Sequence, residues 1–244
     1  MSRMQTRVST LLPAATSRAI RGISSMATRQ LLAELTQMYT RLTEHAVAIE
    51  SVGGIEVSKR LQAGEAFDVV ILASEAVDQL IASGHVQPGS RVDLVHSGVA
   101  IAVCAGHARP DMRSEGAVRQ SVLAAHSVGY STGPSGVALV KLFERWGILD
   151  SVKDRMVQAP PGVPVGTLVA RGEVALGFQQ LCELIHVDGI DIAGPLPASI
   201  QINTTFSGGV CTACTQADAV RALLTYMASD TALASKLRQG MQPA

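Results

Sequence analysis

The stretch Gly129-Tyr130-Ser131-Thr132-Gly133-Pro134-Ser135-Gly136-Val137 has the residue types to hold an anion. Ser131, Thr132 and Ser135 can each donate a hydroxyl hydrogen to one ion, and glycine lets backbone approach it closely. The flanking residues decide whether these groups converge. Ala125 to Tyr130 reads as a helix end and a short strand, and Val137 opens an apolar helical pattern running to Trp146. The stretch thus lies between a strand and the first turn of a helix, where free N–H groups and the helix dipole favour negative charge. Ser and Thr before a helix also act as plain caps, and that is their commoner role. A site needs a second loop of this kind facing the first.

Other parts of the chain supply such loops. Ala19 to Ser24 reads as a strand, and apolar residues at Leu31, Leu32, Leu35, Met38, Tyr39 and Leu42 mark a helix from Met26. Ser24 and Ser25 lie between the two. A strand from Ala46 to Ser51 is followed by Gly53-Gly54 and a short helix over 55–63. Phe67 to Leu72 is an apolar run of the buried parallel type, with Ser74 as the expected cap of a helix over 75–82. Val92–Val95 leads into the extended run Ser97–Cys104, where the chain leaves a first lobe.

The second half repeats the plan. Helices are expected over 116–124, 137–146 and up to Arg171. Strands are expected at 155–157, 174–178 (with Gln179-Gln180 at its carboxyl end) and 190–192. Ile200–Val210 is a second long extended run that returns the chain, and helices over 218–227 and 231–239 close the first lobe. Leu61–Val69 and Val169–Gly177 echo each other: a helix end, a Gly-Glu turn, then a strand.

Composition narrows the function classes. Apolar residues make up 47% of the chain and aromatic ones only 3%. The core must therefore be aliphatic, which suits parallel strands covered by helices. Twenty basic and 20 acidic residues cancel, and no basic run occurs, which argues against a nucleic-acid partner. No apolar run is long enough to cross a bilayer. Residues 1–16 read as a basic arm. Val8–Thr16 is the sole candidate for an export-signal core and Pro13 interrupts it, so the expectation is a cytoplasmic or an already processed, periplasmic chain. Cys211 and Cys214 form a C-x-x-C pair with no second pair to complete a zinc site, so no metal or cofactor is expected. The pair is compatible with free thiols or a disulfide.

From Ile20 to Ala244 the sequence resembles the type II periplasmic solute-binding proteins, in particular the molybdate-binding branch. The matching pieces are the strand ending in Ser24-Ser25, Gly64-Glu65-Ala66-Phe67-Asp68-Val69-Val70-Ile71, Ser97–Val103, Gly172–Gln180 and the ending Gly240–Ala244. The resemblance implies an α/β fold of two lobes, each a mostly parallel sheet flanked by helices, joined by two crossover strands with the ligand between. The lobes are expected at 17–97 with 208–244, and at 98–207. It implies anion contacts from Ser24 or Ser25, from the loop holding Gly53 and Gly54, from Ser131, Thr132, Ser135 and Gly136, and from backbone near Val163. Where that branch often has a hydroxyl after the second strand this chain has glycines, and where it often has a tyrosine this chain has Gln179-Gln180. The glycines enlarge the site and glutamine adds both a donor and an acceptor, which suits an organic acid better than molybdate.

The expected function is a solute-binding protein that closes over a small anion, a di- or tricarboxylate, as the binding component of an ABC transporter with its permease as partner. The alternative is an aconitate isomerase-like enzyme, since such enzymes resemble molybdate-binding proteins. That chemistry needs a base near an activated C–H; Glu50, Glu75, His107 and Glu183 are candidates by position, and Arg29 could add a carboxylate contact. A transcription-regulator effector domain shares the two-lobe plan, but residues 1–18 are too short for a helix-turn-helix.

Overall fold

The computed structural model describes residues 18–244, so the basic arm expected at 1–16 lies outside the described residues. Two sheets share one strand. In the first, β1 (Ile20–Ser25) lies between β2 (Val47–Val52) and β3 (Val69–Ala73), all parallel. β9 (Asn203–Val210) runs antiparallel to β3 and to β4 (Val92–Cys104). In the second, β5 (Val128–Tyr130) lies between β6 (Met156–Gln158) and β7 (Leu176–Gln180), again parallel, while β7 and β8 (Ile190–Pro195) run antiparallel to β4. The order through both is β2-β1-β3-β9-β4-β7-β5-β6. β4 belongs to both sheets: residues 92–98 pair with β9 and 99–104 with β7 and β8.

Successive strand side chains point to opposite faces, so a strand buried on both faces must be apolar throughout. β3 does this: Val69 and Ile71 face α1 (Arg29–Thr43) and α9 (Ala217–Ala228), while Val70 and Leu72 face α2 (Gly54–Gln62) and α3 (Ser74–Ala82). The second sheet is built alike. Val118 and Val122 of α4 (Glu115–Ala124) and Leu139 and Phe143 of α5 (Pro134–Arg145) cover Ile101 and Phe178. On its other face α7 (Val165–Ala170) presses close. A Cβ at Gly177 would stand 2.4 Å from Val169, and one at Gly129 2.7 Å from Val174 and 3.0 Å from Val165. These paired glycines are what let α7 lie flat on the strands.

Several expectations are corrected. The runs 92–95 and 97–104 are one strand, β4. Ser74 is the first residue of α3 and makes no capping bond. α5 begins at Pro134, not Val137, because proline's fixed φ suits a first helical position. β9 begins at Asn203; Ala198–Ile200 is a 3-10 turn. α6 (Leu149–Val152), α8 (Leu181–Leu184) and β10 (Gln242–Pro243), which pairs with β4, are too short to leave a readable period.

Candidate functional site

Parallel strands end together, so register alone groups the candidate residues. Ser25 pairs with Val52, and Ser24 with both Ser51 and Ile71. The loops after β1, β2 and β3 therefore emerge side by side at one edge of the first sheet. Tyr130 pairs with Gln158 and Phe178, which sets the Ser131 loop, residues 159–164 and Gln179-Gln180 side by side at one edge of the second. Ligands of open α/β sheets bind at carboxyl strand ends of this kind.

Within the first group the serines part company. Ser24 is fully buried and its Oγ lies 2.8 Å from Ser51 Oγ, so it is spent within the sheet. Ser25, facing the other way, is only 8% exposed, and its Oγ has no hydrogen-bond partner among the described residues. It does not cap the 3-10 turn Met26–Thr28 that follows it; Thr28 Oγ1 donates to its carbonyl instead, at 3.1 Å. Gly53 precedes α2 at an ordinary φ of −58°, with no heavy atom within 4 Å of where a Cβ would stand. Glycine there supplies room, not backbone freedom. A Cβ on Gly54 would meet Ser25 Cβ at 4.0 Å, so the two loops are neighbours. Arg29 is exposed.

In the second group Ser131 Oγ lies 3.2 Å from Ser135 Oγ at the head of α5, and neither caps that helix. Thr132 is half-buried beside them. Gly136 is obligatory: a Cβ would stand 1.8 Å from the Ser131 carbonyl oxygen. Val163 donates its N–H to the Pro160 carbonyl within a turn, so its amide is not free for an anion. Gln179, 3% exposed, accepts the Val165 N–H on its Oε1 at 2.7 Å. Its amide nitrogen is left to donate to the Glu183 carboxylate. Gln180 is equally buried, and its Oε1 accepts from the Cys182 thiol at 3.8 Å.

The two groups are linked through α8. Its Cys182 sits in the core of the first sheet and lies 3.3 Å from Ser97 Oγ, and the helix packs on the 3-10 turn after Ser25 as well as on β4 and β7. Glu183 lies in this short helix. Protein atoms crowd it on nearly every side, although its surface is not fully covered. Burial pushes its carboxyl up to about 7, opposed only by the Gln179 hydrogen bond. The other candidate bases differ. Glu50 is exposed and bonded to Arg60, which holds it below the usual carboxylate range. Glu75 and His107 are exposed.

A crevice of about 430 Å³, with His107 and His126 at its wall, opens beside Leu176 and Cys104. That is the amino end of β7, opposite the grouped loops. Its lining is mostly apolar and no parallel strand ends there, so the strand-end groups are the better site. Among the described residues no cluster of three or more His, Cys, Asp or Glu side chains could hold a metal ion, and no helix is long and apolar enough to cross a membrane. Cys211 and Cys214 are free thiols flanking a turn.

Residues 20–242 match the bacterial extracellular solute-binding protein family. The chain belongs to that family. It is 43% identical over 190 residues to an aconitate isomerase of a Pseudomonas species, covering 77% of this chain and 71% of the relative. In fold it resembles the Azotobacter vinelandii periplasmic molybdate-binding protein, with TM-score 0.75 and 20% identity over 91% of this chain and 98% of that one. A tungstate-binding protein of Desulfovibrio alaskensis is similar, with TM-score 0.68 and 14% identity over 93% and 99%. The fold of this family member is the type II periplasmic-binding-protein fold, mixed α/β as expected.

Proposed function

We propose that this protein binds a small unsaturated polycarboxylate between its two strand-end groups and isomerises it, as the name of its Pseudomonas relative suggests. On this reading the lobes are those expected from the sequence, 17–97 with 208–244 and 98–207, of which residue 17 lies outside the described residues, and β4 and β9 connect them. The observation that carries the binding is Ser25: a buried hydroxyl without a partner costs about 1–3 kcal/mol, and a ligand oxygen would relieve that cost. Ser131, Thr132 and Ser135 supply donors from the other lobe. Room at Gly53 suits a ligand larger than a tetrahedral oxyanion. Charge-assisted hydrogen bonds are worth roughly 1.5–3 kcal/mol each. Four or five, less the cost of association, reach the roughly 8 kcal/mol of micromolar binding.

The test is an NMR time course with trans- and cis-aconitate beside calorimetry on a panel of polycarboxylates, molybdate and tungstate. Interconversion of the two isomers supports the reading; a protein that neither binds nor converts them overturns it. A second reading, a transport component that hands an organic acid to an ABC permease, is favoured by the family match over nearly the whole described chain. Saturable binding without turnover would select it.

A further inference from the structure

We propose that the Glu183 carboxylate is the catalytic residue that carries the proton in this site, and that Gln179 is its positioning residue. This rests on the isomerisation reading above. Shifting a double bond along three carbons removes a proton from the saturated carbon and returns one to the far carbon. The C–H electron pair becomes the new double bond, and the old one moves outward and is held as the enolate of the adjacent carboxylate. One carboxylate can take the proton and give it back, so atoms and charge balance without any oxidant or co-reactant. The enolate charge is met by hydroxyl donors of the Ser131 cluster.

Three features of its surroundings suit Glu183 to this. Gln179 is pinned by the Val165 N–H on its oxygen at 2.7 Å, so its amide can offer only hydrogens to Glu183. α8 is wedged between the second sheet and the turn after Ser25, so the helix that carries Glu183 spans the junction of the two groups. No charged side chain of the described residues adds to the balance on its carboxyl. The titratable neighbour on its own helix, Cys182, is held neutral by burial. A carboxyl that titrates near neutrality both removes and returns a proton efficiently, and burial pushes Glu183 up to about 7.

The experiment compares the full chain with E183Q and Q179L, using trans-aconitate as the probe. Glutamine keeps the shape and cannot ionise. E183Q should keep its melting temperature and bind within about threefold, yet lose 100-fold or more in kcat, the scale of general acid–base catalysis. In the parent, kcat should rise with pH through about 7. Gln179 stabilises the charged carboxylate, so Q179L should move that midpoint to higher pH, which a merely structural role would not do. A parent that turns over while E183Q keeps its kcat overturns the assignment and leaves the isomerisation reading standing. A parent that binds trans-aconitate without turnover overturns both.

Discussion

At the residue scale, the informative serine is the one with nothing to do. Ser24 and Ser25 are adjacent and both buried, yet Ser24 is bonded to Ser51 while the Ser25 hydroxyl has no partner among the described residues. Removing an unpaired buried hydroxyl relieves its desolvation cost. Ser25→Ala should therefore hold or raise the melting temperature while weakening polycarboxylate binding 10-fold or more, read by thermal shift and calorimetry. A fall in both would mean that Ser25 is structural. Gly53→Ser tests the room beside it. Its φ of −58° accepts any residue and nothing stands in the way of a Cβ, so stability should change by less than about 0.5 kcal/mol, as at ordinary surface positions. The added hydroxyl should shrink the site, so the ratio of affinities should move from polycarboxylate towards molybdate or tungstate.

At the element scale, helix starts are held by close backbone approach. The first turn of α5 folds back on Ser131 so tightly that a methyl at Gly136 would overlap the Ser131 carbonyl, an atom with no rotamer to escape into. Gly136→Ala should cost more than 2 kcal/mol in denaturant unfolding, or displace the Ser131 loop and abolish binding. A variant with parent stability and affinity would refute that packing. The opposite end of the first sheet is tied by Asp68, out of solvent but close beneath the surface. Desolvation pushes its carboxyl up, but the Arg21 amide and the Gln216 side chain outweigh this and hold it below its usual value. A carboxyl depressed in the folded state contributes stability that is present above its unfolded value, near 4, and is lost as pH falls through the folded one. Asp68→Asn should therefore be less stable than the parent at pH 7, and the gap should narrow below about pH 4 in urea titrations.

At the scale of the whole molecule, two helix-flanked sheets share β4 and are wedged by α8. A ligand shifts such a molecule towards closure only if it binds the closed form more tightly, which requires donors from both sides. Saturating polycarboxylate should reduce the radius of gyration in solution scattering, and Ser131→Ala should weaken that response. Binding with unchanged scattering would confine the ligand to one lobe.

The architecture was legible early because it depends on patterns that a linear chain displays. The apolar run of β3, the helical spacing of Leu31, Leu32, Leu35 and Tyr39, and glycines and hydroxyls between strand and helix all speak through local period and turn chemistry. Local pattern also placed the serines at helix starts. It could not say which of Ser24 and Ser25 was free, because that depends on Ser51 in a neighbouring strand. Nor could it raise Glu183 above Glu50, since one is crowded by α8's neighbours and the other meets Arg60 at the surface. Residue types along the chain determined the fold and the polar character of its loops. Burial and hydrogen-bond partners, which exist only once distant segments meet, decided which of those polar groups remain available for chemistry.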